Sequence, residues 1–238
     1  MNPNGASISV IIPVYNGALF LREAMDSAQR QTLQPSEILV VDDGSTDNSA
    51  AVARESGRNV RCLLQDHAGP AAARNLGLRA ARGELIAFLD ADDLWPAEKL
   101  AGQLSALAGD PSAGMVFGRI QCLKQSSAEA ERPEYSPFGK TWSWCLLGAA
   151  LVRRTVFDRT GLFDPSLRYG EDLDWFLRAV ERGARVTQIE QTCLFYRIHG
   201  ANMTRGVPHA GFGLTRILKH HLDRKRAAGP SGSSGRRQ

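Results

Sequence analysis

The feature that most restricts this chain is a series of short apolar runs, separated by helical spacing and followed directly by acidic residues. Ile8–Ile12 (ISVII), Ile38–Val41 (ILVV) and Leu85–Leu89 (LIAFL) are continuous apolar runs of strand length, and Val60–Leu64 reads as a further strand between them. Uninterrupted runs of this kind belong to strands buried on both faces. Leu19–Gln31 carries Leu21, Ala24, Met25 and Ala28 at helical spacing, and Thr46–Glu55 and Ala71–Ala81 also read as helices. The alternation predicts an α/β fold, a mostly parallel sheet with helices on both faces. Ligands bind such sheets beyond the carboxyl ends of the strands.

The second half is less regular. Pro96–Leu107 reads as a helix, Met115–Gly118 as a strand, and polar Lys124–Lys140, with Pro133 and Pro137, as a loop. Leu146–Val152 is a strand candidate, Glu171–Arg182 a helix and Val186–Tyr196 another strand. Gly211–Arg226 is expected to form an amphipathic basic helix, followed by a Gly/Ser-rich tail over Gly229–Gln238 expected to be disordered.

At 238 residues the chain can bury a sizeable core. A net charge of +4 suits an anionic ligand or membrane surface and is too weak to indicate nucleic acid. The widely spaced Cys62, Cys122, Cys145 and Cys193 contain no CxxC pair, which argues against zinc. Polar Met1–Ser7 lacks the plan of a signal peptide, and no run of about 18 apolar residues exists. The expectation is a reduced, cytoplasmic protein.

Three acidic groups fall where the strand assignments place a site. Asp42-Asp43 follows the second strand, Asp90-Ala91-Asp92-Asp93 the fourth, and Glu171-Asp172 opens a late helix. Carboxylates packed this closely repel unless a cation or hydrogen-bond donors compensate. Magnesium or manganese is the simplest compensation, and an ion held by one or two carboxylates keeps positions for diphosphate oxygens. Ser45-Thr46-Asp47 suits helix capping equally well.

Four motifs in order resemble glycosyltransferase family 2: ISVIIPVYNG (8–17), ILVVDDGSTD (38–47), GPAAARNLGLRAARGELIAFLDADD (69–93) and GEDLDWFLRA (170–179). The resemblance runs from about residue 8 to about 204. It implies a GT-A fold, with a Rossmann-like central sheet and a smaller acceptor-side region, and inverting transfer from a nucleotide-diphosphate sugar. By the same resemblance Pro13, Tyr15 and Asp43 surround the nucleobase and ribose, and Arg74 lies near the nucleotide. Asp90 faces the ribose or a metal-bound water, Asp92 ligates the metal, and His199 in YRIHGANMT contacts metal or diphosphate. Asp172 is the implied general base, with a role for Glu171 in orienting it, binding acceptor or exchanging roles with it. A helix N-terminus favours the ionised form of Asp172, whereas Glu171 opposes it.

The expected organisation is a tail (1–7), a nucleotide-binding half (8–110), an acceptor-binding half (111–204), a basic helix (205–228) and a second tail (229–238). Trp142 and Trp144, two apart, would share one strand face and could stack on acceptor sugar, as could Trp175, for which core packing is the alternative. The stripe Phe212, Leu214, Ile217, Leu218 and Leu222, with Arg216, Lys219, Arg224, Lys225 and Arg226 around it, suits either docking on the domain or a peripheral place at the inner membrane face near a lipid-linked acceptor. Three other readings compete. One is a haloacid-dehalogenase-like phosphatase using Asp90 and Asp92. The second is a nucleotidyltransferase, against which Pro13–Gly17 lacks a glycine-rich basic loop. The third is a binding module without catalysis.

Overall fold

The structure, a computed structural model, describes residues 5–57, 59–125, 134–143, 146–200, 202–203 and 214–227. One sheet of eight strands organises it. Strands β1 (Ile8–Val14), β2 (Glu37–Asp42), β3 (Val60–Leu64) and β4 (Leu85–Phe88) alternate with helices α1 (Ala18–Gln29), α2 (Ser49–Arg54) and α3 (Pro70–Ala80). β1 pairs in parallel with β2 on one side and β4 on the other, with Val10 opposite Ile38 and Ala87, and β2 pairs in parallel with β3. The strand order β3-β2-β1-β4 reverses direction between β1 and β4, and a crevice opens at such a reversal. Helix α3 lies close on the sheet because position 77 is glycine, where any side chain would run into Ile11.

Helix α4 (Lys99–Gly109) leads to β5 (Ala113–Gln125), β6 (Tyr135–Trp142), β7 (Ala150–Arg153), α5 (Arg154–Thr160), α6 (Glu171–Glu181), β8 (Arg185–Ile198) and α7 (Leu214–Ala227). β8 runs parallel along one edge of β5, so antiparallel β7 and β6 share the other edge in succession. The core divides into two layers. Val10, Ile12, Leu21, Met25 and Leu100 pack on one face, and Ile11, Leu39, Phe88, Phe157 and Trp175 on the other.

The first-half expectations hold to within a few residues. Lys124–Lys140 is a correction, because part of it forms β6 against the end of β5. That strand is polar and exposed along almost its whole length, so it carries no apolar alternation, and Pro137 is tolerated at its edge position. Helix α5 is too short for a periodic signal. Cys62, Cys122 and Cys193 are unpaired, and Cys145 lies outside the described residues.

Lys99 is fully buried in α4 without a carboxylate partner. Its ammonium donates to Gln103 Oε1 (2.7 Å) and the Ala150 carbonyl (2.9 Å), and it stands 4.2 Å from the Trp95 ring centre. Burial pulls its pKa down to about 7. Between that value and the ordinary lysine range the unfolded chain holds the extra proton, so stability rises with pH. Melting temperatures measured from about pH 7 to about pH 8, below the range where cysteine thiols ionise, should therefore climb. The climb should flatten in Lys99→Met, and an equal slope in that variant would show that Lys99 is not its source.

Candidate functional site

A cavity of about 430 Å³ opens at the carboxyl ends of β1, β2 and β4. Pro13, Tyr15, Asp43, Arg74, Asp90, Asp92, Glu171 and His199 all line it. Eight residues spread over nearly the whole chain are thus brought to one wall by the parallel strands and by α6 and β8.

The β1 loop is held by the turn after β2. Ser45 Oγ accepts from Asn16 N (2.9 Å), Ser49 Oγ from Gly17 N (3.0 Å) and Asp47 from Ala18 N (3.0 Å), satisfying the open N–H groups at the start of α1. The capping reading of Ser45-Thr46-Asp47 is right in kind, but the helix these side chains chiefly serve is α1. Asp47 also accepts from Ser49 N at the start of α2 (2.9 Å).

Asp43 is buried and fully engaged. Its carboxylate accepts from Gln65 Nε2 (2.6 Å), Ala68 N (2.8 Å) and Gly69 N (2.8 Å), and His67 Nδ1 lies 2.9 Å away. Two carboxylate oxygens offer about four acceptor positions, so a ligand bonding Asp43 takes the place of one of these donors. The His67 ring stacks on Tyr15, centre to centre 3.9 Å. Sequence reasoning missed Gln65 and His67, whose part here comes from the loop between β3 and α3 and leaves no periodic signal.

Two groups stand across the rest of the cavity. Buried Arg74 donates through Nη2 to Asp90 Oδ1 (2.8 Å) and through Nη1 to Glu171, while its Nε has no partner among the described residues. Burial holds the Asp90 carboxyl above its ordinary range, against the pull of Arg74. Glu171 is therefore committed to Arg74. Next to it, half-buried Asp172 accepts the N–H of Leu173 at this helix start (2.8 Å). Burial, reinforced by the Glu171 charge, lifts the Asp172 carboxyl to about 6, against Arg74 and that N–H. The opposing tendencies at this helix start thus resolve toward a stronger base.

On the other side, Asp92 Oδ2 meets His199 Nε2 and Asn202 Nδ2, each at 3.2 Å. The His199 ring stacks on Phe20, centres 4.3 Å apart. Arg197 is fully buried: it donates to the Asp92 carbonyl and to Glu23, and its N–H meets Asp93 Oδ1 at 2.9 Å. Burial and the charges of Asp92 and Asp90 hold the Asp93 carboxyl well above its usual range. Reciprocal backbone bonds between Leu94 and Phe195 stitch this turn to β8. Among the described residues no three His, Cys, Asp or Glu side chains form a ready metal cage. The carboxylate of Asp92 and the imidazole of His199 nevertheless suit a magnesium or manganese ion that completes its shell with ligand oxygens.

The tryptophans separate. Trp175 is fully buried, stacks on Phe157 (4.3 Å) and donates to the Gly161 carbonyl (2.9 Å), so its suggested contact with acceptor is corrected to core packing. Trp142 is exposed on β6, outside the cavity wall, with Nε1 3.4 Å from Cys122 Sγ. Trp144 lies outside the described residues.

Residues 9–163 match the family described as glycosyl transferase family 2. The chain is 32% identical over 213 residues to an uncharacterized glycosyltransferase of Rickettsia typhi, covering 83% of this chain and 65% of that protein. It is also 32% identical over 174 residues to WfgD of Escherichia coli, a UDP-Glc:alpha-D-GlcNAc-diphosphoundecaprenol beta-1,3-glucosyltransferase, covering 71% and 67%. The chain thus spans just under two thirds of the Rickettsia relative. In fold it resembles S. aureus TarS in complex with UDP-GlcNAc (TM-score 0.72, 20% identity, 91% and 66% covered). It also resembles the mannosyltransferase PcManGT from Pyrobaculum calidifontis in complex with GDP-Man and Mn2+ (TM-score 0.63, 25% identity, 95% and 66% covered). These relationships leave the phosphatase reading of Asp90 and Asp92 without support. The match runs from β1 through β7 and takes in every acidic turn of the parallel sheet, and by it the chain belongs to glycosyl transferase family 2, as a glycosyltransferase of GT-A fold.

Proposed function

We propose that the chain moves a sugar from a UDP-, GDP- or dTDP-sugar to an acceptor hydroxyl by one inverting displacement, in synthesis of a cell-envelope or extracellular polysaccharide on a sugar or lipid-linked acceptor. The observation that carries this reading is one cavity lined by Asp92 with His199 and by Glu171, whose neighbour at the start of α6 is Asp172. The donor is assigned to residues 8–110 and the acceptor to residues 111–204. WfgD, a UDP-Glc-dependent glucosyltransferase, and PcManGT, bound to GDP-Man and Mn2+, support the class of donor.

In this scheme Pro13 and Tyr15 flank the nucleobase, and Asp43 exchanges a loop donor for a base N–H. Asp92 and His199 are the residues that would hold magnesium or manganese, which supplies positive charge to the departing diphosphate. Asp172 takes the proton of the acceptor hydroxyl as its oxygen bonds the anomeric carbon and the bond from that carbon to the phosphate oxygen breaks. The electron pair of the broken bond leaves on the diphosphate. Arg74 keeps Glu171 occupied and holds Asp90 in place, which leaves Asp172 as the carboxylate ready for protons. Its raised pKa makes it a better base than an exposed aspartate.

Two tests separate binding from chemistry. Nucleoside diphosphate with manganese should raise the melting temperature by mass action, and Asp92→Asn should lose the manganese-dependent part of that rise. A full rise in the variant would place the metal elsewhere. Transfer should increase as pH climbs through about 6 and Asp172 ionises. Asp172→Asn should slow transfer by about a hundredfold or more while donor binding persists. A variant that keeps most of its rate would assign the base to another group.

A further inference from the structure

Helix α7 joins the domain through one row of side chains. Ile217 is buried, His221 pairs with Glu181, and Arg224 reaches Glu181 Oε2 (2.7 Å) and Asp174 Oδ1 (3.4 Å) on α6. These three residues, at spacing i, i+4, i+7, lie on one side of the helix. Leu214, Leu218 and Leu222, at i, i+4, i+8, form a neighbouring row that stays 41%, 51% and 50% exposed. Docking and an outward apolar face were alternatives in the sequence, but the structure assigns them to different sides of one helix.

We propose that this outward face of α7 lies on an anionic membrane surface. Lys225, three residues after Leu222 and seven after Leu218, falls inside the leucine row. Lys219 and Arg226, seven apart, form the next row. All three cations are exposed, and the acid beyond them, Asp223, is 3.8 Å from Arg226. Leucines that enter the acyl boundary beside cations that meet lipid phosphates give the two signals that reversible surface binding needs. The same charges disfavour a second copy of the chain, because two-fold pairing of this face would set like rows of cations against each other. No described helix is long and apolar enough to cross a membrane, so α7 lies along the surface. Helix α7 rides on α6, whose first residue, Glu171, lines the cavity, so on the reaction proposed above membrane contact sits beside the acceptor side.

The test is sedimentation of the whole chain with vesicles of equal parts phosphatidylglycerol and phosphatidylcholine, beside vesicles of phosphatidylcholine alone. The chain should pellet with the anionic vesicles only, and less in high salt. The double variant Leu218→Glu, Leu222→Glu should reduce the partition by about tenfold or more, and Lys219→Glu with Lys225→Glu should do likewise. Both variants should keep the melting temperature of the wild type, since they leave Ile217, His221 and Arg224 intact. Equal pelleting by the leucine variant, or none by the wild type, would overturn the proposal. So would a wild-type dimer that the leucine variant converts to monomer, because a second copy would then own the face. Each outcome is read without donor or acceptor and is independent of the proposed reaction.

Discussion

A single buried guanidinium holds the two ends of this site together. Arg74 projects from α3 between Asp90, at the end of β4, and Glu171, at the start of α6, two carboxylates 81 residues apart in the chain. Without that cation Glu171 would be a buried charge beside Asp172, a loss that usually costs several kcal/mol. With it, the acidic groups can be gathered and yet differ in character: Asp90 and Glu171 are paired, and Asp172 is left with a raised pKa. The concentration of carboxylates that marks the sequence is thus only partly a request for metal. An arginine answers much of it.

The second organising residue is also an arginine that the sequence presents as an ordinary charge. Arg197 spends its donors on the Asp92 carbonyl and Glu23 and lies over Phe20 at 5.0 Å. It thereby joins β8, the turn after β4 and α1. A carboxylate on a turn, such as Asp92, is only as well placed as the turn itself, and here the turn is fixed by a side chain and a backbone bridge from a strand a hundred residues later.

Strands β1, β2 and β4 were legible because strands buried on both faces need continuous apolar runs, and the helices beside them because helices on a sheet need apolar stripes. The same logic fails at β6, which is paired but hardly buried, and at α5, which has too few residues to show a period. In the site, Asp43, Asp90 and Asp92 were readable from their places behind strands, and Glu171 from its place at the start of a helix. The contacts of Gln65, His67, Asn202 and Arg197 were not, since each depends on which distant element the fold brings alongside. Trp175 illustrates the reverse error, where an aromatic near a motif invites a ligand contact that full burial forbids.

The saturated carboxylate of Asp43 has a consequence for selectivity. A newcomer at this position gains no free acceptor; it trades one donor for another, and the balance of such a trade is small. A base with an N–H in the right place restores the count, whereas one presenting a lone pair leaves two acceptors facing each other with no proton between them. Under the proposed base contact, discrimination at this corner comes from the cost of the wrong partner more than from the reward of the right one. In that proposed contact, the loop donors of Asp43 are the standard that an incoming base must match.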